Sequence, residues 1–338
     1  MFKQSLLEEV LGCALSSGGD FAELYGERTH NNTIQMVDGK IDKVCDNFLS
    51  GVGVRVFSGL RTVYACTTDL TREGLLACAR SAAQALAEIR EAGSVSLTRR
   101  DVRDIHPVRF NPTDPENKRR CEVLKAACFA AKEHDPVISQ VQGTFIGVDH
   151  AILVANSEGL LTEDRHVRTR LVVSAVASEG GENQSGFCAP GRGMGLEMFE
   201  LFDPKEIGIH AARQAVVNLR AGYCPAGQMT VAIENGFGGV IFHEACGHSL
   251  EATQVGVGMS EMCGKLGQKV ANEKITAIDD GTIPGAWGSV NIDDEGNPTQ
   301  RNVLIEGGVL KNYMIDRLGS RRMGMPMTGN SRRQGYSF

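Results

Sequence analysis

Two histidines and two glutamates share the stretch "GGVIFHEACGHSLEA", Gly238 to Ala252. Imidazole nitrogens are ligands for zinc, and a carboxylate beside the first of them can move a proton next to the ion. Histidines at i and i+4 of a helix share a face. His243 and His248 are five apart, which on a regular helix turns one from the other by roughly 140°. Something must absorb the extra residue, and Gly247 is where a π-bulge or a local unwinding costs least. With that adjustment His243 and His248 are candidate metal ligands. Glu244 is the candidate catalytic base, taking a proton from water and handing it to a leaving amine. With 8 histidines in 338 residues, a chance His-Glu-x-x-x-His match is expected only about 0.01 times. That rarity disfavours two unconnected histidines on a helix surface.

Other donors lie close in sequence. Cys246 projects away from any face the histidines share, whereas Glu251, three residues after His248, returns to their side if the helix resumes. Cys263, Asp279 and Asp280 have proximity alone. For each of these, packing or solvent exposure is the commoner fate, so no third ligand is assigned.

The segment "QMTVAIENGF" reads as a strand that ends at Gly236 and delivers the metal-binding helix. Hairpins follow in "GSVNIDDEGNPTQRNVLI" and in "NVLIEGGVLKNYMI", the latter turning at Gly307-Gly308. Upstream, Leu6, Leu7, Val10, Leu11 and Leu15 predict a helix closed by Gly18-Gly19. Two hairpins come next, one turning at His30-Asn31-Asn32 and one near Ser58-Gly59, and then a helix over 71–89. Pro107, Pro112 and Pro115 mark an irregular connection over 91–117. A helix over 118–134 precedes a β meander, and 179–198, rich in Gly, Ser and Asn, reads as a mobile loop. Asp203 is placed to cap a helix over 203–220, ahead of Pro204. The fold class is α+β: an N-terminal domain of helices on an antiparallel sheet (1–222), then a hairpin-rich C-terminal domain (223–338) carrying the metal-binding helix.

Composition excludes several classes. The chain is 42% hydrophobic and 22% charged with net charge −6, so no basic field attracts nucleic acid despite Arg321, Arg322, Arg332 and Arg333. Ten cysteines without a C-x-x-C pair argue against a disulfide framework or a zinc knuckle. No stretch approaches the roughly 20 apolar residues of a membrane span, and the N-terminus lacks a signal-peptide core. The expected location is the cytoplasm, with no membrane contact.

At "FHEACGHSLEA", at "NIDDEGNPTQRNVLIEGGVLKNYMIDRLGSRRMGMPMTGNSRRQGYSF" and at "SGVGVRVFSGLRTVYACTTDL" the sequence resembles the TldD/PmbA metallopeptidases, once called modulators of DNA gyrase, and within them the TldD branch. The resemblance covers almost the whole chain. It implies zinc held by His243 and His248, with Glu244 as base. It also implies a complex with a PmbA-like subunit, or a homo-oligomer, whose enclosed cleft admits only unfolded or small peptides. PmbA-like subunits lack the His-Glu-x-x-x-His pattern, so its presence here implies the catalytic role. In the family a cysteine beyond the "TGNSRRQ-Y" stretch is the third ligand. The sequence stops at Phe338, directly after that stretch, and so reads as C-terminally truncated. A catalytically inactive scaffold or partner-binding subunit is therefore the alternative. A different zinc enzyme with this spacing and a downstream glutamate ligand would need a mostly helical region where hairpins are predicted.

Overall fold

Strand alternation and turn chemistry build one large sheet. In the computed structural model, which describes residues 1–86, 94–114 and 118–338, α1 (Gln4–Ala14) is followed by β1 (Phe21–Val37) and β2 (Lys40–Ser58). These two strands pair along their whole length. Their turn is Asp38-Gly39, with φ of 46° and 80°, the two positive values that a tight hairpin matching strand twist demands. The turn predicted at His30-Asn31-Asn32 does not exist. Asp46 on β2 lies 2.9 Å from His30 Nε2 and accepts from Asn32 Nδ2 at 3.0 Å. Partners across the ladder satisfy these polar side chains, so the strand runs through them.

The second predicted hairpin stands: β3 (Arg61–Thr67) returns after a turn at Gly59, and α2 (Arg72–Leu86) follows. The helix's predicted last turn, 87–89, and Pro115 lie outside the described residues. After the short β4 (Thr98–Arg99) come α3 (Arg119–Glu133), β5 (Ile138–Asn156) and β6 (Leu160–Glu179). The segment predicted as a mobile loop instead forms β7 (Glu182–Cys188) and β8 (Gly191–Arg192), both paired to β6. Its glycines serve geometry. Gly180 and Gly181 turn the hairpin at φ of 60° and 88°, and a Cβ on Gly186 would sit 2.4 Å from the Ala211 carbonyl oxygen of α4 (Pro204–Arg220). Asp203 caps α4 as predicted, accepting from Lys205 N at 2.9 Å.

The sheet runs β3-β2-β1-β5-β6-β4. Even-numbered residues of β1 point to one face, and that face carries both helix pairs. Leu24 packs beneath α1 and α2 with Val54 and Leu153, while Ile34 and Met36 pack beneath α3 and α4 with Phe145 and Leu171. The opposite face, with Glu23, Tyr25 and Glu27, receives the C-terminal region. Tyr25, Ile152 and Val154 meet Ile292 there.

That region holds α5 (Gly239–Phe242), α6 (Ala252–Val255), β9 (Ala277–Asp280), β10 (Arg301–Glu306), β11 (Val309–Leu310) and α7 (Arg317–Met323). The hairpin at Gly307-Gly308 is present, in a three-stranded sheet ordered β11-β10-β9. The stretch Gln228 to Phe237 forms no strand, contrary to its alternation. Val231 and Ile233 are exposed, and a strand needs a ladder neighbour as well as a pattern. The architecture is α+β, helices on a large antiparallel sheet with a second small sheet. Among the described residues no helix is long and apolar enough to cross a membrane.

Candidate metal centre

The segment after Gly238 takes three windings in succession over residues 239–250. It is α-helical from Gly239 to Phe242, a π turn from His243 to Gly247, and a 3-10 turn from His248 to Leu250. The π turn is closed by the His248 N–H donating to the His243 carbonyl, five residues back. In such a turn residues five apart come into line. The imidazole rings therefore meet, with centroids 4.3 Å apart and planes at 61°. His248 Nε2 lies 3.9 Å from Glu244 Oε2.

Gly247 is the residue this arrangement requires, for a reason other than backbone freedom. Its φ and ψ are −56° and −54°, values any residue adopts. A Cβ there would approach His243 Nδ1 to 3.3 Å, tighter than ordinary contact. Glycine leaves room for the ring.

One ligand atom from each of His243, Glu244 and His248 fits within 4.8 Å of the others, and all three side chains are exposed. Among the described residues this is the only such group of His, Cys, Asp and Glu donors. Two imidazoles with a carboxylate beside them suit a divalent metal ion. The other candidates are engaged elsewhere. Cys246 packs against the apolar cluster of Leu250, Tyr313 and Ile315, and burial pushes its thiol up, away from the thiolate a metal needs. The Cys263 thiol faces the Val255 carbonyl at 3.4 Å. Asp279 accepts from Asn330 Nδ2 at 3.0 Å, and Asp280 from the Thr282 hydroxyl at 2.6 Å.

Glu251, weighed above as a ligand, has its Oε1 2.9 Å from His248 Nδ1. It also lines a cavity of about 300 Å³ between the two parts of the chain, with Arg55, Thr253, Glu295, Met314 and Arg333. The segment leading into the centre exposes Met229, Val231, Ile233, Val240, Ile241 and Phe242. Spacing alone could not separate a ligand from a residue behind a ligand. That depends on where the helix breaks.

Three domains of one family match the chain: PmbA/TldA metallopeptidase domain 1 over residues 22–86, the central domain over 110–219 and the C-terminal domain over 226–338. The chain is 34% identical to the Haemophilus influenzae metalloprotease TldD homolog, over 94% of this chain and 67% of that protein. It is also 34% identical to the Buchnera aphidicola metalloprotease TldD homolog, with the same two coverages. Its fold matches the crystal structure of TldE from Thermococcus kodakarensis, with a TM-score of 0.76 at 20% identity, over 97% of this chain and 74% of that one.

Proposed function

Since the chain belongs to the PmbA/TldD metallopeptidase family, we propose that it is a zinc metallopeptidase subunit, hydrolysing unfolded or small peptides within a TldD/PmbA-like complex. The observation that carries this reading is the His243, Glu244 and His248 cluster on a π turn. His243 and His248 would hold the ion through imidazole nitrogens. Zinc, when bound, supplies a Lewis acid that polarises the scissile carbonyl and acidifies water. The chain's residues do the rest. Glu244 accepts a proton from the attacking water at its carboxylate and passes it to the nitrogen of the leaving amine. The restriction to unfolded or short peptides comes from the enclosed cleft that the family resemblance implies, because His243, Glu244 and His248 are exposed in this chain.

In this reading residues 1–222 form the part that governs peptide access and subunit contacts, and 223–338 the metallopeptidase part. The exposed side chains of Met229, Val231, Ile233, Val240, Ile241 and Phe242 support a covering partner, either a PmbA-like subunit or a second copy. Ten free cysteines fit the reducing cytoplasm.

The test is Glu244→Gln in the assembled complex. Peptide hydrolysis should fall at least 100-fold while zinc content holds, and full activity in that variant would refute the base. A second reading, an inactive scaffold or partner-binding subunit, is favoured by one observation. Among the described residues no further donor joins the cluster, and a catalytic zinc ordinarily takes three protein ligands. Near-stoichiometric, tightly held zinc in the purified 338-residue chain would count against it.

A further inference from the structure

We propose that Glu251 is a positioning residue for His248: it fixes the imidazole's tautomer and plane and is not itself a ligand. This rests on the metal-site reading above and adds a role that the His-Glu-x-x-x-His spacing does not specify.

The backbone places Glu251 by interrupting the helix. The 3-10 turn ends at Leu250, Glu251 is extended at φ −79° and ψ 135°, and α6 begins at Ala252. Two hydrogen bonds hold that break in place. Met314 N donates to the Leu250 carbonyl at 2.9 Å, and Ala252 N to the Met314 carbonyl at 2.8 Å. Glu251 is thus clamped between two elements of the C-terminal core, where Leu250 and Ala252 are buried. It occupies the N-cap of α6, yet its side chain makes no cap hydrogen bond. The short side chains of Asp, Asn, Ser and Thr accept from the helix's first N–H groups at that position, whereas the longer glutamate can reach elsewhere. This one turns back to His248.

The chemistry follows from the donor inventory. An ionised carboxylate only accepts, so at 2.9 Å from Glu251 Oε1 the Nδ1 atom must carry the proton. The lone pair of the neutral ring is then on Nε2, the atom that faces Glu244 Oε2 at 3.9 Å. A carboxylate behind a ligating imidazole orients the ring and raises its basicity. Glu251 Oε2 is 3.4 Å from the Thr253 hydroxyl, so the carboxylate has a support of its own. As a ligand, Glu251 would have to surrender the bond to Nδ1.

The test uses Glu251→Ala and Glu251→Gln in the full chain, and zinc binding by competition with a chromophoric chelator. A carboxamide oxygen still accepts from Nδ1–H but is a poor zinc ligand. Glu251→Ala should bind zinc 10–100-fold more weakly, and Glu251→Gln should recover most of that loss. If Glu251→Gln falls as far as Glu251→Ala, Glu251 is a ligand and the proposal is overturned. A second readout is independent of metal: long-range ¹H–¹⁵N spectra of the imidazoles in metal-free protein. These should show His248 protonated at Nδ1, with that preference lost in Glu251→Ala; protonation at Nε2 in the unsubstituted chain overturns the proposal too. Should the unsubstituted chain bind no zinc, the metal reading fails, and the imidazole spectra still decide what Glu251 does to His248.

Discussion

At Gly247 a single missing carbon separates two properties that usually travel together. A Cβ would press within 3.3 Å of His243 Nδ1, while alanine at helical dihedrals removes backbone entropy that glycine carries, worth about 0.5–1 kcal/mol. Gly247→Ala should therefore leave the thermal midpoint unchanged or raised. Zinc affinity should fall about tenfold, since ligands displaced by a few tenths of an ångström lose that much. Calorimetry and a chelator titration on the same sample check both halves, and a lowered midpoint with unchanged affinity would contradict the packing argument. The two histidines and the glutamate were legible in sequence, because rare residue types at a rare spacing are visible without coordinates. Glu251's role was not: it depends on an extended residue between two short helices, and nothing in "GHSLEA" marks that break.

Between elements, the buried polar layer under the C-terminal region sets the response to acid. His150 on β5 faces His166 and Asp164 on β6, Glu27 on β1 and, further off, Arg168 and Asp149. Burial, then His166 and Arg168, lower its pKa from 6.5 to about 4. The sign is fixed by proton counting. Between pH 6.5 and 4 the unfolded chain binds a proton that the folded chain refuses, so this histidine makes stability fall as pH falls through that window. Chemical denaturation at pH 7 and pH 5 should show the native chain losing more stability than His150→Leu over that interval. Equal losses would mean that His150 is not held neutral. Element boundaries were legible where chemistry marks them, as at Asp203 before α4. They were misread where polar residues found partners across a ladder, as His30 and Asn32 do with Asp46, although Asp38-Gly39 offered the better turn signal.

For the molecule as a whole, four arginines tie the C-terminal region to the sheet and its turns. Arg55 bridges Glu23 on β1 and Glu295, Arg333 also reaches Glu23, Arg317 reaches Glu158 at 3.0 Å, and Arg321 reaches Asp20 at 2.6 Å. Glu23 and Glu295 are buried, and stripping a partner from a buried charge costs about 3–5 kcal/mol. Arg55→Leu should therefore lower the unfolding free energy by about 3 kcal/mol or more, read from the denaturant midpoint. A change below about 1 kcal/mol would show that these pairs behave as surface contacts. The cavity bearing Glu251 is walled by Arg55 and Arg333 as well, so the same variant should disturb the neighbourhood of the candidate metal centre.

The sequence by itself determined the candidate His-Glu-His cluster, the need for a distorted turn between His243 and His248 and the α+β class, because residue type, spacing and periodicity are local quantities. Only the tertiary structure decided that Glu251 stands behind His248, that Val231 and Ile233 lie outside any ladder, and that the segment 182–192 joins the sheet. The first and the last of those depend on a partner distant in the chain: Met314 for Glu251, and β6 for β7 and β8. A local pattern states what a segment can do, and its long-range neighbours select which of those things it does.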